Sequence, residues 1–475
     1  MLPKSSEIVF DQRHLDQFSE ISGDRNPLHM SETYARTSQF GQQVMFGVGA
    51  FLYCWKKISF FLPETEYLEI HTVFSKPIFL NQKYSIRYTR SESTLLMEIL
   101  DGTTILCSSC FSWGIDRDKK HDLNTDSLYA LTGESEDLFR SYSCDMSDLL
   151  VEPASNILTD IIHSLCFISR DIGMRVPGQD ALFLGFSLTL NGKEYSPLSL
   201  ANYQNIKYSL YKTILKTDGL ILEAESVKRP SKIAHRLELV SSKSMYMPNK
   251  TVFVAGAGRG LGWAIAATFL KWGHRVIACY ASIDENLLEL AREFGNESLI
   301  LFKCDLAAPG SAQDIIARFG RSKIDIFILC AAPKIDRFPF KDLARPAYWE
   351  FIDVSMAIYR SCLLAWTRIR VDQGVFLLIS SEWVKEMNPQ FTHYIAAKIF
   401  QEEHCKLLAQ EDVEGVYRVY RPPRMLTDQT NSTFKMGGSS LASIYDVSAD
   451  ICTKIAYDSR SNDNAVDPNK FLVWP

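Results

Sequence analysis

The run from Thr251 to Ala255 is strand-forming throughout. It leads directly into Gly256-Ala257-Gly258-Arg259-Gly260-Leu261-Gly262, and an apolar helical pattern then continues to Trp272. No other segment restricts the fold as tightly. Glycines let the chain turn sharply and let another group come close to the backbone. The helix that follows turns free N–H groups and a positive dipole end toward that bend, the arrangement that receives a phosphate group. Downstream, strand patterns at Arg275–Tyr280, Leu299–Lys303, Ile324–Leu329 and Gly374–Ser380 alternate with helical stretches such as Asn286–Phe294. Such alternation predicts a parallel, doubly wound α/β sheet.

The rest of the chain follows a different rule. Its 475 residues allow two to four domains, at roughly 150 residues each. From Glu7 to Asp116, short helical patterns and an apolar helical stretch, Phe40–Ile58, precede strand-like runs at Tyr67–Ser75, Lys83–Thr89, Leu95–Leu100 and Thr103–Trp113. One buried helix with an antiparallel sheet is an α+β pattern. After a polar stretch, 115–148, the pattern returns. A helix over Asn156–Ile172 precedes strands at Ala181–Leu190, Ile206–Leu215, Gly219–Val227 and Ile233–Leu239. The predicted organisation is therefore residues 1–116, 117–248 and 249–475, with the first two blocks sharing one architecture.

Composition narrows the function classes. Hydrophobic residues at 46% and charged residues at 23% are the balance of a globular protein and exclude a disordered chain. With a net charge of −5 and no dense basic run, nucleic acid is not an expected partner. The longest apolar run, Val44–Leu62, is broken by Lys56-Lys57 and falls short of the ~18 uninterrupted residues of a membrane span. Eleven scattered cysteines, most in apolar runs, and the lack of a leader pattern in Met1–Asp11 point to the cytoplasm. Cys107 and Cys110 form a single C-x-x-C with no second pair, so no metal site is expected.

The third block resembles the short-chain dehydrogenase/reductase family, from about Lys250 onward. The glycine spacing carries the resemblance, and so do Tyr394-Ile-Ala-Ala-Lys398 and Ser381, thirteen residues before the tyrosine. Asp305-Leu306 and the strand running to Ala331-Ala332 match further positions. The resemblance implies that Tyr394 protonates a carbonyl oxygen, Lys398 lowers the phenol's pKa and holds the nicotinamide ribose, and Ser381 places the substrate oxygen. Gly256, Gly258, Arg259, Gly260, Leu261, Gly262, Asp305, Leu306 and Ala331 are implied cofactor contacts, alongside Tyr394 and Lys398. Departures are Leu329-Cys330 where the family has Asn-Asn, Ser355 for a catalytic Asn in a middle helix, and Pro422-Pro423 for Pro-Gly. The second strand ends Cys279-Tyr280-Ala281-Ser282 with no carboxylate before Asp284. With Arg259 in the turn, this predicts NADP(H) rather than NAD.

The first block carries a second motif, Ser22-Gly23-Asp24-Arg25-Asn26-Pro27-Leu28-His29, followed by Tyr34-Ala35, Phe40-Gly41 and Val44-x-x-Gly47. It resembles MaoC-like, (R)-specific enoyl-thioester hydratases of the hotdog fold. That resemblance implies Asp24 and His29 as the acid–base pair, Asn26 as a substrate-positioning residue, and the Gly47 N–H as the donor to the thioester oxygen; in the third block the substrate-positioning candidate is Ser355. Phe46 stands where the family often has His. The second block is like the other half of a double hotdog. It lacks the Asp-to-His motif, and its helix carries His163 as a core or interface residue.

Together these readings predict a bifunctional enzyme. It reduces a 3-oxoacyl thioester with NADPH and interconverts the (R)-3-hydroxyacyl and enoyl thioesters, on coenzyme A or an acyl carrier protein. Holding both sites on one chain raises the effective concentration of the shared intermediate. Two alternatives stay open: a reductase of another carbonyl with the hotdog part as a docking or dimerisation module, and a non-catalytic nucleotide-binding assembly protein. A homo-oligomer is expected, and residues 428–443 are a candidate substrate lid.

Overall fold

The computed structural model describes residues 5–62, 65, 67–114, 129–131, 142–143, 156–191, 199–205, 209–217, 219–231, 233–242, 249–282, 285–338, 342–428, 430–431, 441–461 and 471–475. Most of the polar stretch 115–148, Asp284 and most of the candidate lid 428–443 lie outside the described residues. The chain divides into two compact units, one ending at residue 232 and the other beginning at Ile233.

Among the described residues, ten strands build the first unit: β1 (Ser5–Val9), β2 (Tyr67–Phe74), β3 (Lys83–Arg90), β4 (Thr94–Asp101), β5 (Thr104–Trp113), β6 (Tyr129–Leu131), β7 (Ala181–Asn191), β8 (Ser199–Asn205), β9 (Leu210–Thr217) and β10 (Leu220–Lys228). They form one antiparallel sheet in the order β1-β3-β4-β5-β2-β7-β10-β9-β8-β6. The same order runs outward from the central β2–β7 pair in both directions. Each half has the first strand after its helix, then the fourth, third and second, then the strand that precedes the helix. The two helices are Gly47–Lys56 and Asn156–Met174. Phe51, Trp55, Ile161, Leu165 and Ile168 from these helices share one core with Ile86, Met97, Phe111 and Leu222 of the sheet. Where β2 meets β7, a Cβ on Gly185 would fall 2.3 Å from the Thr72 carbonyl oxygen, so the close approach requires glycine there.

Three sequence expectations change in this unit or at its boundary. The helix predicted over Phe40–Ile58 begins only at Gly47, because Val44 bridges Phe79 and the Met45 N–H bonds the Ile78 carbonyl. Backbone groups already committed to a neighbouring segment cannot join a helical ladder. β8 lies between the strands expected at Ala181–Leu190 and Ile206–Leu215, where no element was expected. The strand predicted over Ile233–Leu239 is instead an irregular segment ending in the 3-10 turn Leu237–Leu239, with Leu239 exposed. There the Arg236 N–H bonds the Tyr445 hydroxyl rather than a strand.

Among the described residues, seven parallel strands build the second unit: β11 (Thr251–Ala255), β12 (Arg275–Tyr280), β13 (Leu299–Lys303), β14 (Ile324–Leu329), β15 (Arg370–Ile379), β16 (Gly415–Tyr420) and β17 (Phe471–Trp474). Their order is β13-β12-β11-β14-β15-β16-β17. Side chains alternate between two cores, so Val252 and Val254 pack on one face while Phe253 and Ala255 pack on the other. The order reverses between β11 and β14, which opens a crevice at the carboxyl ends of those two strands. Beneath the sheet, the wholly buried Arg418 holds Asp458 through two bonds of 2.7 and 3.1 Å. Removing one partner of such a pair leaves a stranded charge. Asp458→Ala is therefore expected to cost about 3–5 kcal/mol in urea unfolding; an unchanged midpoint would contradict this.

Candidate functional site

The crevice of the second unit is shaped first by glycine. Gly256 has a φ of 90°, and a Cβ there would lie 2.7 Å from the Ala331 nitrogen. A Cβ on Gly262 would lie 2.1 Å from the Gly256 carbonyl oxygen. Only a bare backbone permits this bend at the start of the Gly260–Lys271 helix, whose N-cap residue, Arg259, makes no side-chain cap. The Gly260 N–H is held by Nε2 of His235 at 2.8 Å, a contact that sequence reading missed. The Arg259 guanidinium lies 3.6 Å from the Asp428 carboxylate and is partly exposed. Asp305 follows β13 on the surface, while Leu306 is buried in the core. Glycine-lined backbone at a helix N-terminus, with an arginine beside it, fits a dinucleotide pyrophosphate.

At the other end of the crevice, the Thr392–Glu411 helix carries Tyr394 and Lys398 one turn apart. Ala331, Ala332, Pro333, Phe351, Ser355, Tyr394, Ala397, Lys398 and Gln401 line one cavity. Burial pushes the Tyr394 phenol up to about 12, against an opposing hydrogen bond with Ser381. Burial also pulls Lys398 down to about 8, and its ammonium donates to the Ile379 carbonyl at 2.8 Å. At neutral pH the phenol keeps its proton and the amine stays charged, so the pair can donate a proton. Ser381, Tyr394, Lys398 and Ser355 are thus brought to one place. Gln401, not foreseen, donates from Nε2 to the Ser355 carbonyl at 3.4 Å, and its buried Oε1 has no hydrogen-bond partner. Its spacing of three residues after Lys398 was the available signal.

In the first unit, Gly23 in the left-handed region ends the Gln12–Ser22 helix and turns Asp24 inward. Asp24 is 3% exposed. One carboxyl oxygen accepts from the Asn26 N–H at 3.0 Å, the other from the Ser169 hydroxyl at 2.9 Å. Asn26 caps the turn that carries His29 and donates from Nδ2 to the Gly173 carbonyl at 3.1 Å. A Cβ on Gly173 would lie 2.6 Å from the Asp24 carboxylate. Ser169 and Gly173 both lie on the Asn156–Met174 helix, so the second half of the unit builds part of this site. His29 Nδ1 bonds the Val44 carbonyl at 2.7 Å. A carbonyl only accepts, so Nδ1 carries the proton and Nε2 keeps a lone pair. The ring lies 3.9 Å from that of Phe46, and Gly47 opens the next helix.

Burial drives these two groups toward neutrality. It raises Asp24 to about 7 against the pull of its hydrogen bonds. It lowers His29 to about 4, with the Arg229 charge adding to the effect and the Val44 bond opposing it. Between those values the carboxyl is an acid and the imidazole a base. Elsewhere in the unit, His163 Nε2 bonds the Tyr142 carbonyl at 3.1 Å. Cys107 and Cys110, three apart on β5, face opposite sides of the sheet. Among the described residues no three His, Cys, Asp or Glu side chains converge as a metal site. No described helix is long and apolar enough to cross a membrane.

A family model described as short chain dehydrogenase matches residues 250–434. A short chain dehydrogenase/reductase, dpmpG, of Macrophomina phaseolina is 32% identical over 123 residues, covering 25% of this chain and 69% of that protein. The NADPH-dependent pterin aldehyde reductase of Arabidopsis thaliana is 26% identical, covering 41% of this chain and 81% of its own length. For the chloroplastic chlorophyll(ide) b reductase NOL of the same plant the identity is 28%, and the chain spans only 36% of that protein. A crystal structure of a short chain dehydrogenase from Burkholderia cenocepacia in complex with NADP has a TM-score of 0.41 at 17% identity, covering 48% of this chain and 96% of that one.

One stability prediction follows from Asp24. The folded chain keeps this carboxyl protonated up to about pH 7, against 3.8 for the ordinary group. The native state therefore binds more protons between those values, and stability falls as pH rises through that window. Asp24→Asn is expected to remove this loss and raise the urea midpoint at pH 8, by at most about 4 kcal/mol in stability. A midpoint lowered equally at pH 5 and pH 8 would contradict it.

Proposed function

Because the chain belongs to the short-chain dehydrogenase/reductase family, we propose that its second unit reduces a 3-oxoacyl thioester and that its first unit dehydrates the resulting (R)-3-hydroxyacyl thioester, or hydrates the enoyl form. The second unit is an NADP-dependent oxidoreductase. Its cofactor reading rests on β12 ending without a carboxylate, on Arg259 beside the glycine turn, and on relatives named as NADPH-dependent reductases. Bound NADPH supplies the hydride. Gly256, Gly258, Leu261 and Gly262 would cradle its phosphates, with Gly260 shaping the turn while its N–H is held by His235, Arg259 near the adenosine end, and Asp305, Leu306 and Ala331 beside it.

The gathering of Ser381, Tyr394 and Lys398 at one end of a glycine-shaped crevice is the observation that carries the reading. Tyr394 releases its proton to the carbonyl oxygen, and the charged Lys398 eases that release and holds the ribose. Ser381 donates to the same oxygen and fixes its place. Pushed-apart ionisation at Asp24 and His29 supports the first unit's role. His29 Nε2 takes a proton from C2, Asp24 gives its proton to the C3 hydroxyl, and water leaves. The Gly47 N–H would hold the thioester oxygen as charge builds on it.

The same-order halves of the antiparallel sheet, each with a buried helix, support a double hotdog built from 1–116 and 117–248 ahead of 249–475, with the second compact unit already beginning at Ile233. Leu364, Phe400 and Leu407, all exposed on the Pro346–Ile369 and Thr392–Glu411 helices, support self-association. Ten described cysteines are free thiols, which supports a reducing compartment such as the cytoplasm.

The two activities are separable by mutation. Tyr394→Phe is expected to lower NADPH oxidation on a 3-oxoacyl thioester by about 10²–10⁴-fold and leave enoyl hydration intact. Asp24→Asn is expected to do the reverse. A silent Asp24→Asn would make the first unit a docking or dimerisation module, and NADPH binding without turnover would make the chain an assembly protein. Dehydration should fall above about pH 7, as Asp24 loses its proton, and a flat profile from pH 6 to 9 would contradict that role. NADPH should outperform NADH; equal turnover would sink the cofactor assignment.

A further inference from the structure

One turn beyond Lys398 on the same helix lies Glu402, 3% exposed. Its carboxylate accepts from the Ser380 hydroxyl. It also accepts from Arg421, whose Nε lies 3.0 and 3.2 Å from its two oxygens. Ser380 immediately precedes Ser381 at the end of β15, and Arg421 follows the last residue of β16. One carboxylate therefore ties together the helix bearing Tyr394 and Lys398, the strand end bearing Ser381, and the neighbouring strand end. The Lys398 bond to the Ile379 carbonyl is a second tie one residue upstream. The Ser380 N–H, bound to the Tyr420 carbonyl at 2.7 Å, and the Arg421 N–H, bound to the Trp474 carbonyl at 3.0 Å, fix the two strand ends to their neighbours. Neither the glycine turn nor the Tyr-x-x-x-Lys spacing requires any of this.

We propose that Glu402 is a positioning residue of the reduction site, holding Ser381 in register with Tyr394 and setting the charge environment of Lys398, with Arg421 orienting its carboxylate. The proposal rests on the reading of Ser381, Tyr394 and Lys398 given above. The groups that face Lys398 are Glu402 and Cys405 on its own helix and Cys330 after β14. Burial draws the ammonium toward neutrality, and the Glu402 charge opposes that. Neutralising Glu402 removes an anion that acts on Lys398 and leaves the Arg421 cation with only the more distant influence of Glu403 to offset it. Both changes make Lys398 lose its proton at a lower pH. A buried ion pair gives little net stability over apolar packing, so the pair's distinctive contribution is geometric and electrostatic.

The test needs no carbonyl substrate. NADPH affinity is measured by cofactor fluorescence from pH 7 to 10 on the full chain, comparing the wild type with Glu402→Gln, Glu402→Asp and Lys398→Met. The wild type should lose affinity as Lys398 deprotonates, and Lys398→Met should abolish that limb. Glu402→Gln should move its midpoint down by about one pH unit, while Glu402→Asp, which keeps the charge, should restore it. With a 3-oxoacyl thioester, Glu402→Gln should lower kcat by about tenfold or more with little change in KM. An unmoved midpoint in Glu402→Gln, with the limb gone in Lys398→Met, would overturn the proposal alone. A limb that survives in Lys398→Met would overturn the role of Lys398 and the proposal with it. Should Glu402→Gln fail to fold, Arg421→Lys, which keeps the charge but loses the fork, should lower kcat and leave the midpoint in place; unchanged kcat there would count against the proposal.

Discussion

Both units are organised around ionisable side chains taken out of water. A group in low dielectric prefers its neutral form unless a partner compensates. Asp24 and His29 move toward neutrality in the first unit, and Lys398 and Tyr394 do so in the second. Each is kept from being an unpaired buried polar group by a specific contact: Ser169 and Asn26 for Asp24, Val44 for His29, Ile379 for Lys398 and Ser381 for Tyr394. The chemical consequence is the same in the two places. In each place burial holds a proton on a group, the Asp24 carboxyl in one and the Tyr394 phenol in the other, that could donate it.

Close backbone approach is the structural means. Where two segments must meet without a side chain between them, glycine is present and a Cβ would collide: Gly173 against Asp24, Gly185 against Thr72, Gly256 against Ala331, and Gly262 against Gly256. The first two belong to the antiparallel unit and the last two to the parallel one. The parallel sheet then places its crevice where the strand order reverses, and the antiparallel sheet places Asp24 against the helix of its other half.

Legibility in the sequence followed the range of the interaction. The glycine turn, the Tyr394–Lys398 pair and the Asp24–His29 turn are local, and their resemblance to family motifs singled them out as candidates. β-α alternation in the second unit was legible because fully buried parallel strands are continuous apolar runs. Partners distant in sequence left no trace: Ser169 is 145 residues from Asp24, and Glu402 meets Arg421 and Ser380 only through the fold. The stretch Ile233–Leu239 alternates like a strand, yet its backbone is drawn to Tyr445 instead, and periodicity cannot reveal such a competitor. β1 and β8 were missed for the opposite reason, since polar, half-exposed strands carry a weak apolar pattern.

The central claim is that one chain carries out reduction and dehydration on the same acyl group. Incubating the full chain with a 3-oxoacyl thioester and NADPH carrying deuterium at both C4 positions of the dihydronicotinamide tests both steps together. Deuteride delivered to C3 stays there when the C3 hydroxyl and a C2 proton are lost. The account predicts an enoyl thioester with one deuterium at C3 by mass spectrometry. Accumulation of deuterated 3-hydroxyacyl thioester with no enoyl product would contradict it.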